Sequence, residues 1–325
     1  MTSSAPPPRS ALDNQPTLLF SWWCTGFAAV IIVTRLAGRK VRSNKLFRED
    51  WIMMAALAPL LLRMGCIHLV LRWGTNNVDT ATHPLSPSSI RHRQRGSQLV
   101  LVARIAYAAF LWTSKLTISE FLKRMTYLVW RRSYQLTLHA IRLVLLLTFV
   151  AVVVSTLVEC HPVSHYWQVV PDPGPRCRQA FAQLYTMASC DVLTDVLLIA
   201  FPIPLVWRSG RPLRRKCLLT ALFALSAVMV VVALLRVPHV VARHGSQQYR
   251  TAWASGEILA SACVSNAVVI GSFLRDKGLK RNKFRAPVPA VPAVPPNWPP
   301  SSSTADGDDE DEGLFRYWGI RVPGD

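Results

Sequence analysis

The sequence predicts an all-α fold, a polytopic membrane bundle of seven transmembrane helices, and three observations carry that prediction. Seven apolar stretches recur along 325 residues that are 51% hydrophobic. Each approaches the roughly 20 residues that a helix, rising about 1.5 Å per residue, needs to cross a hydrocarbon core about 30 Å thick. The cations gather in alternate connections between the stretches. Finally, the runs are too continuously apolar for the alternating strands of a β-barrel, so their backbone amides need the internal partners of a helix.

The chain divides into a polar, Pro-rich segment (1–17), the bundle (18–275) and a tail (276–325). No cleavable signal peptide is visible in the first segment, which is expected to be disordered. Span one, Leu18–Leu36, is followed by Arg39 and Lys40, as a membrane anchor should be. Span two, Trp51–Leu71, contains Pro59, which removes a helical donor and predicts a kink or an end. Span three, Leu99–Phe121, carries Arg104 and Lys115, whereas span four, Ile141–Val158, has Arg142 near its start and is otherwise apolar. Span five, Phe181–Val206, holds Asp191 and Asp195, and Pro202 with Pro204 predicts either its terminus or a hinge. Spans six and seven are Cys217–Leu235 and Thr251–Phe273. The tail turns from basic to Pro-rich (286–300), then to the acidic run Asp308–Glu312, and its composition predicts disorder.

A net charge of +19 would suggest nucleic acid in a soluble protein, but its placement argues for lipid. The connections after spans one, three, five and seven hold 20 Lys and Arg, and the opposite connections with the N-terminus hold 10, Arg236 and Arg250 among them. The positive-inside rule then puts the N-terminus outside and the C-terminus in the cytosol, with a basic fringe suited to anionic headgroups. Of seven cysteines, Cys24, Cys66, Cys190, Cys217 and Cys263 fall within or at the ends of spans and read as small packing residues. Cys160 and Cys177 share the loop between spans four and five on the outer face, where a disulfide is the preferred reading and two free thiols the alternative. No His/Cys cluster has metal-site spacing, and no cofactor motif occurs.

Several loop motifs recur in a fixed order. Arg48-Glu49-Asp50-Trp51 follows the first basic loop, and Ser114-Lys115-Leu116 leads to Glu120-Phe121-Leu122-Lys123-Arg124. Glu159-Cys160-His161-Pro162, Tyr166-Trp167 and Cys177-Arg178 come next. Asp195, Phe201-Pro202-Ile203-Pro204 and Lys216 follow, then Glu257, Ser265-Asn266 and Gly271-Ser272-Phe273. In this order they resemble the fungal rhodopsin-domain family of seven-helix integral membrane proteins, over about Arg35 to Lys283. The resemblance implies a fold and a membrane location; the family includes receptor-like proteins and membrane proteins of mycotoxin gene clusters, and has no general activity. The seventh span lacks the mid-depth lysine of a retinal Schiff base, so light sensing is not expected.

Ionisable groups at bilayer depth cost several kcal/mol unless paired or wetted, which makes each one a candidate site. Asp191 and Asp195, spaced i and i+4, share one helix face. They are candidates to hold a cation, share a proton or grip a basic ligand; the alternative is structural pairing with Arg104 toward the outer half and Lys115 toward the inner. Glu257 either faces the same cavity or sits at the interface in contact with water. Asp191, Asp195, Glu257, Arg104 and Lys115 are therefore the ligand-cavity candidates. Glu120 with Lys123 and Arg124 reads as a solvated helix end, Arg63, His68 and Arg142 as snorkelling or bundle-facing groups, and Asn266 as interhelical glue. Two functions compete: a receptor-like sensor in the plasma membrane for a small extracellular molecule, and an intramembrane enzyme that protonates a lipid substrate with a buried carboxylic acid. A transporter is disfavoured because no inverted repeat is apparent.

The cation asymmetry predicts that a reporter fused after Asp325 is cytosolic. Digestion of that tail by protease added outside intact cells would overturn the orientation.

Overall fold

A computed structural model describes residues 12–80, 85–126, 132–201, 203 and 226–275. Helix α1 (Gln15–Ser43) starts with proline in its first turn, where the missing N–H costs nothing. It stops at Asn44, whose left-handed φ of 56° lets its N–H reach the Lys40 carbonyl. Helix α2 (Arg48–Ala55) begins with Asp50 reaching back to the Phe47 amide at 3.2 Å. Helix α3 (Leu57–Trp73) follows directly. The second predicted span is thus two helices meeting at Ala56, because Pro59 offers no N–H to the Ala55 carbonyl and crowds it. Together they still form one segment, Arg48–Trp73, of crossing length.

Helix α4 (Pro87–Thr126) is 40 residues long and extends well before the predicted span. Its early turns lie against the end of α3 so closely that a Cβ on Gly96 would sit 2.1 Å from the Gly74 carbonyl oxygen. Helix α5 (Arg132–Val158) precedes the loop with a 3-10 turn at Val163–Tyr166 and the short α6 (Pro175–Gln179). Helices α7 (Phe181–Ala200), α8 (Ser226–Ala242) and α9 (Gln247–Arg275) complete the described fold. Pro202, Pro204, Cys217, the basic connection 208–216 and the tail from residue 276 lie outside the described residues.

Helix α4 is the central strut, packed against α2, α3, α5, α7 and α9, while α1 lies along α9 and α8 along both α7 and α9. The core joins Ile32, Met53, Leu60, Phe110, Leu111, Leu145, Met187 and Ile258. The exterior is equally apolar: Leu143, Leu146, Leu147, Val150 and Val154 of α5 are exposed. A soluble protein would not leave such a face uncovered, and hydrocarbon is the solvent that suits it. Five described segments are long and apolar enough to cross a membrane: Gln15–Arg42, Arg48–Trp73, Pro87–Lys123, Gln135–Val158 and Phe181–Ala200. Helix α9 has the length but carries a stripe of buried polar residues, including Thr251, Ser255, Glu257, Ser261 and Ser265, which lowers its hydropathy.

The sixth span differs from its predicted bounds. Its described helix runs to Ala242, so Arg236, expected in the outer connection, is inside the bundle and buried. A helix can continue through a charge when a counter-charge waits on its neighbour, and Glu257 of α9 supplies one. Arg250 is likewise buried, its guanidinium donating to the Gln179 and Ala180 carbonyls at the end of α6. Among the cysteines assigned to packing, Cys24 and Cys66 are buried, but Cys190 is only half-buried and Cys263 is exposed on the apolar exterior.

The loop between α5 and α7 is a folded cap. Cys160 and Cys177 form a disulfide with a Cα–Cα separation of 5.1 Å. The Tyr166 hydroxyl donates to the Thr156 carbonyl at 2.7 Å and accepts the Cys160 amide at 3.2 Å. Burial pushes the pKa of that phenol up, which keeps it a neutral donor. Asn76, beyond α3, donates to the Tyr166 carbonyl at 2.9 Å. Glu159 accepts the amides of Ala182 and Gln183 at 2.8 and 3.0 Å, neutralising orphan donors at the start of α7.

Cross-linking residues 17 apart removes loop entropy from the unfolded chain worth about 3 kcal/mol. Cys160→Ser and Cys177→Ser should each lose about that much stability in a mixed-micelle denaturation series. The double variant should lose no more than either single one.

Candidate functional site

Helix α4 places Arg104, Tyr107, Leu111 and Lys115 on one face, at spacings of three and four residues. Leu111 is fully buried and separates two charged centres. In the first, the Lys115 ammonium lies 2.8 Å from Asp191 Oδ1 and 2.9 Å from Asp195 Oδ1 on α7. It also lies 2.8 Å from both the Asp191 carbonyl and Thr194 Oγ1, and 5.5 Å from the centre of the Trp112 ring. An ammonium has three protons to share among these four oxygens. Asp191 Oδ1 is held by charge alone, and Asp191 Oδ2 and Asp195 Oδ2 have no hydrogen-bond donor among the described residues. All three side chains are buried, the carboxylates at 1% and 5% exposure. Two carboxylates therefore face one cation in direct contact, and the buried Arg236 guanidinium of the neighbouring centre acts on Asp191 through space.

The second centre joins α4, α8 and α9. Arg236 Nη1 donates to Glu257 Oε2 at 2.9 Å and also to the Tyr107 hydroxyl, which in turn donates to Glu257. The guanidinium carbon stands 5.0 Å from the Tyr107 ring centre. Each group satisfies the other two, so this centre is balanced. Glu257 is consequently buried with a partner of its own and is not an interfacial carboxylate in water.

Arg63 of α3 is 2% exposed and pairs with no carboxylate among the described residues. Its Nη2 donates to the Thr251 carbonyl at 3.3 Å and to Ser255 Oγ at 3.0 Å, and Ser255 touches Ser21 at 3.1 Å. Arg63 thus faces the bundle; it does not snorkel. Arg142 does so too, binding Glu120 at 2.9 Å and Ser119 at 3.0 Å, and the expected solvated end at Glu120 is instead an α4–α5 tie.

At the end of the bundle away from the disulfide, Arg35 Nε meets Asp50 Oδ1 at 2.9 Å, and Arg39 lies 3.4 Å from Asp50 and 3.7 Å from Glu49. Arg35 also donates to the Ser265 carbonyl at 3.1 Å and to Asn266 Oδ1 at 3.3 Å. Asn266 is the expected glue, with its partner now known.

Of the sequence candidates, Lys115, Asp191 and Asp195 come together in one cluster. Glu257 sits in the neighbouring centre. Arg104 makes no ion pair with Asp191, because Lys115 takes both carboxylates; it lines a separate pocket at the disulfide end. Tyr107, Arg236 and Arg35 were missed. The signal for Tyr107 was its spacing of eight residues from Lys115, two turns along one helix face; Arg236 was hidden by the span boundary.

The fungal rhodopsin domain family matches residues 34–272. A polyenoic acids biosynthesis gene cluster protein, Ba17b, from Metarhizium anisopliae is 22% identical over 205 residues, covering 63% of this chain and 54% of that protein. The chain thus spans about half the length of that curated relative. No solved structure matches.

Removing one partner of a buried ion pair costs about 3–5 kcal/mol, because the remaining charge is stranded. Lys115→Met should therefore sharply lower the yield of folded protein in size-exclusion chromatography. Lys115→Met combined with Asp191→Asn and Asp195→Asn should recover most of it, since no net charge then remains in the cluster.

Proposed function

The chain belongs to the fungal rhodopsin-domain family of membrane proteins, and from that premise we propose that it is a receptor-like sensor of a small extracellular molecule. It is read as a seven-helix protein of the plasma membrane, N-terminus outside. The observation that carries this reading is the unbalanced cluster of Lys115, Asp191 and Asp195, in a bundle whose other described carboxylate at that depth, Glu257, is matched. Ligand entering from the disulfide end would first meet Arg104, one turn from Tyr107. A ligand that binds two arrangements of α4, α7 and α9 unequally shifts their populations by its differential affinity. The ion pairs of Arg35 and Arg39 with α2 at the cytosolic end are the contacts such a shift would reach.

A second reading has an observation of its own. Asp191 and Asp195 each have an oxygen with no donor among the described residues, and a carboxyl group that carries a proton at such a place is a candidate general acid toward a lipid substrate. The relative named for a polyenoic acids biosynthesis gene cluster fits either role.

The test is to express Asp191→Asn, Asp195→Asn and the double variant in a deletion strain, measuring membrane abundance and complementation separately. Normal abundance with lost complementation supports a functional cluster, and full complementation by all three at normal abundance rules one out. Cross-feeding separates the readings: culture extract from the parent strain should rescue a missing enzyme and should not rescue a missing sensor.

A further inference from the structure

The direct contacts of the Lys115 cluster put two carboxylates on one ammonium, and the neighbouring centre pairs the Arg236 guanidinium with Glu257. Three acids then stand against two bases, and all five side chains are buried. An excess of one sign is costly in a medium of low dielectric. Its field also reaches further there than in water, because no mobile ions screen it. A third cation should therefore stand within electrostatic reach, and two arginines are placed to supply it: Arg63 of α3 and Arg104 of α4.

The surroundings of each decide between them. Both face Arg236 as a like charge, so the carboxylate in reach is what differs. For Arg104 it is Glu159 of the disulfide loop; for Arg63 it is Glu257. The Arg63 side chain is 2% exposed. Its Nη2 is committed to the Thr251 carbonyl and Ser255 Oγ, and its Nη1 has no acceptor among the described residues. These uncharged contacts fix where the cation stands without offsetting its charge. From Arg63 the charges then alternate across the bundle. Glu257 comes next and binds Arg236 at 2.9 Å; Arg236 acts on Asp191 through space; Asp191 and Asp195 hold Lys115 at 2.8 and 2.9 Å. With Arg63 included, three cations meet three carboxylates.

We propose that Arg63 is a positioning residue of the Lys115 cluster: the third cation, which lets Asp191 and Asp195 stay together on one ammonium. It acts through Glu257 and Arg236 and touches neither aspartate. The proposal deepens the sensor reading and rests on it for its purpose. The set runs from α3 to α7, so a ligand that displaces a charge at one end changes the field at the other. The charge pairing itself does not depend on that purpose.

The test is the melting midpoint of the full chain in detergent micelles. Arg63→Gln should lower it by about 10 °C, the loss that follows when buried charge is left unmatched. Arg63→Lys keeps the charge, gives up the planar fork and should lose less than half as much. Asp195→Asn alone should also lower the midpoint, because it leaves a cation over. Joined to Arg63→Gln it makes the numbers equal again, so the double variant should melt above Arg63→Gln although the two residues do not touch. Glu120→Gln, outside the set, should give no such rescue. Equal losses in Arg63→Lys and Arg63→Gln would overturn the role, leaving only the contacts to Thr251 and Ser255. A raised midpoint in Asp195→Asn alone, or a double variant that melts at or below Arg63→Gln, would overturn it too. Where Arg63→Gln yields no folded protein, the double variant has to restore it, and failure to do so counts against the proposal in the same way. None of these readings needs a ligand, so their failure leaves the sensor reading to its complementation test, and a failed sensor reading leaves the pairing intact.

Discussion

The ammonium of Lys115 lies between Asp191 and Asp195 at 2.8 and 2.9 Å, and α4 and α7 can meet only in the register that keeps it there. In water such a pair would contribute little, since each ion is as well solvated apart as together. At bilayer depth there is no such alternative. A helix that slid by one turn would strand the cation on one side and two carboxylates on the other, at a cost of several kcal/mol each. Hydrophobic burial cannot set this register, because hydrocarbon tails welcome Leu and Val as readily as a neighbouring helix does. Polar contacts do it instead, and α4 makes them on several sides: Trp112 with Thr148 of α5, Ser119 and Glu120 with Arg142, Tyr107 with Arg236 and Glu257.

The two ends of the bundle solve a shared problem by similar means. Each has a helix start whose amides need acceptors, and at each a carboxylate supplies them, from within the first turn at α2 and from across the disulfide loop at α7. Asp50 caps α2 and also gathers Arg35 and Arg39; Glu159 caps α7 beside the disulfide. A carboxylate at a helix N-terminus is favoured by the helix dipole as well as by its hydrogen bonds. Both residues belong to the short loop motifs, Arg48-Glu49-Asp50-Trp51 and Glu159-Cys160-His161-Pro162, so those motifs have structural work at the ends of the bundle. The unbalanced groups lie between them, in the interior and in the pocket beside Arg104.

The membrane class, the helical content, the loop disulfide and most segment positions were legible in the chain because they follow from local composition. An apolar run of about 20 residues has few stable states in lipid, and two cysteines 17 residues apart in one loop can come within bonding distance. The pairing of Lys115 with Asp195 was legible for a similar reason: both are charges at bilayer depth, on helices joined by few intervening spans. Which partner each charge takes was not. Arg104 and Lys115 are both on α4, separated by three turns, and composition cannot say that Lys115 would claim both acids and leave Arg104 to the pocket. The assignment of Arg236 failed because a span boundary was drawn at the charge itself, although Glu257, remote in sequence, makes that charge tolerable inside. What the sequence by itself determined is therefore which segments lie in lipid and which residues have to find partners there. Only the tertiary structure decided who meets whom, because the strength of an ion pair falls with distance in space and takes no account of distance along the chain.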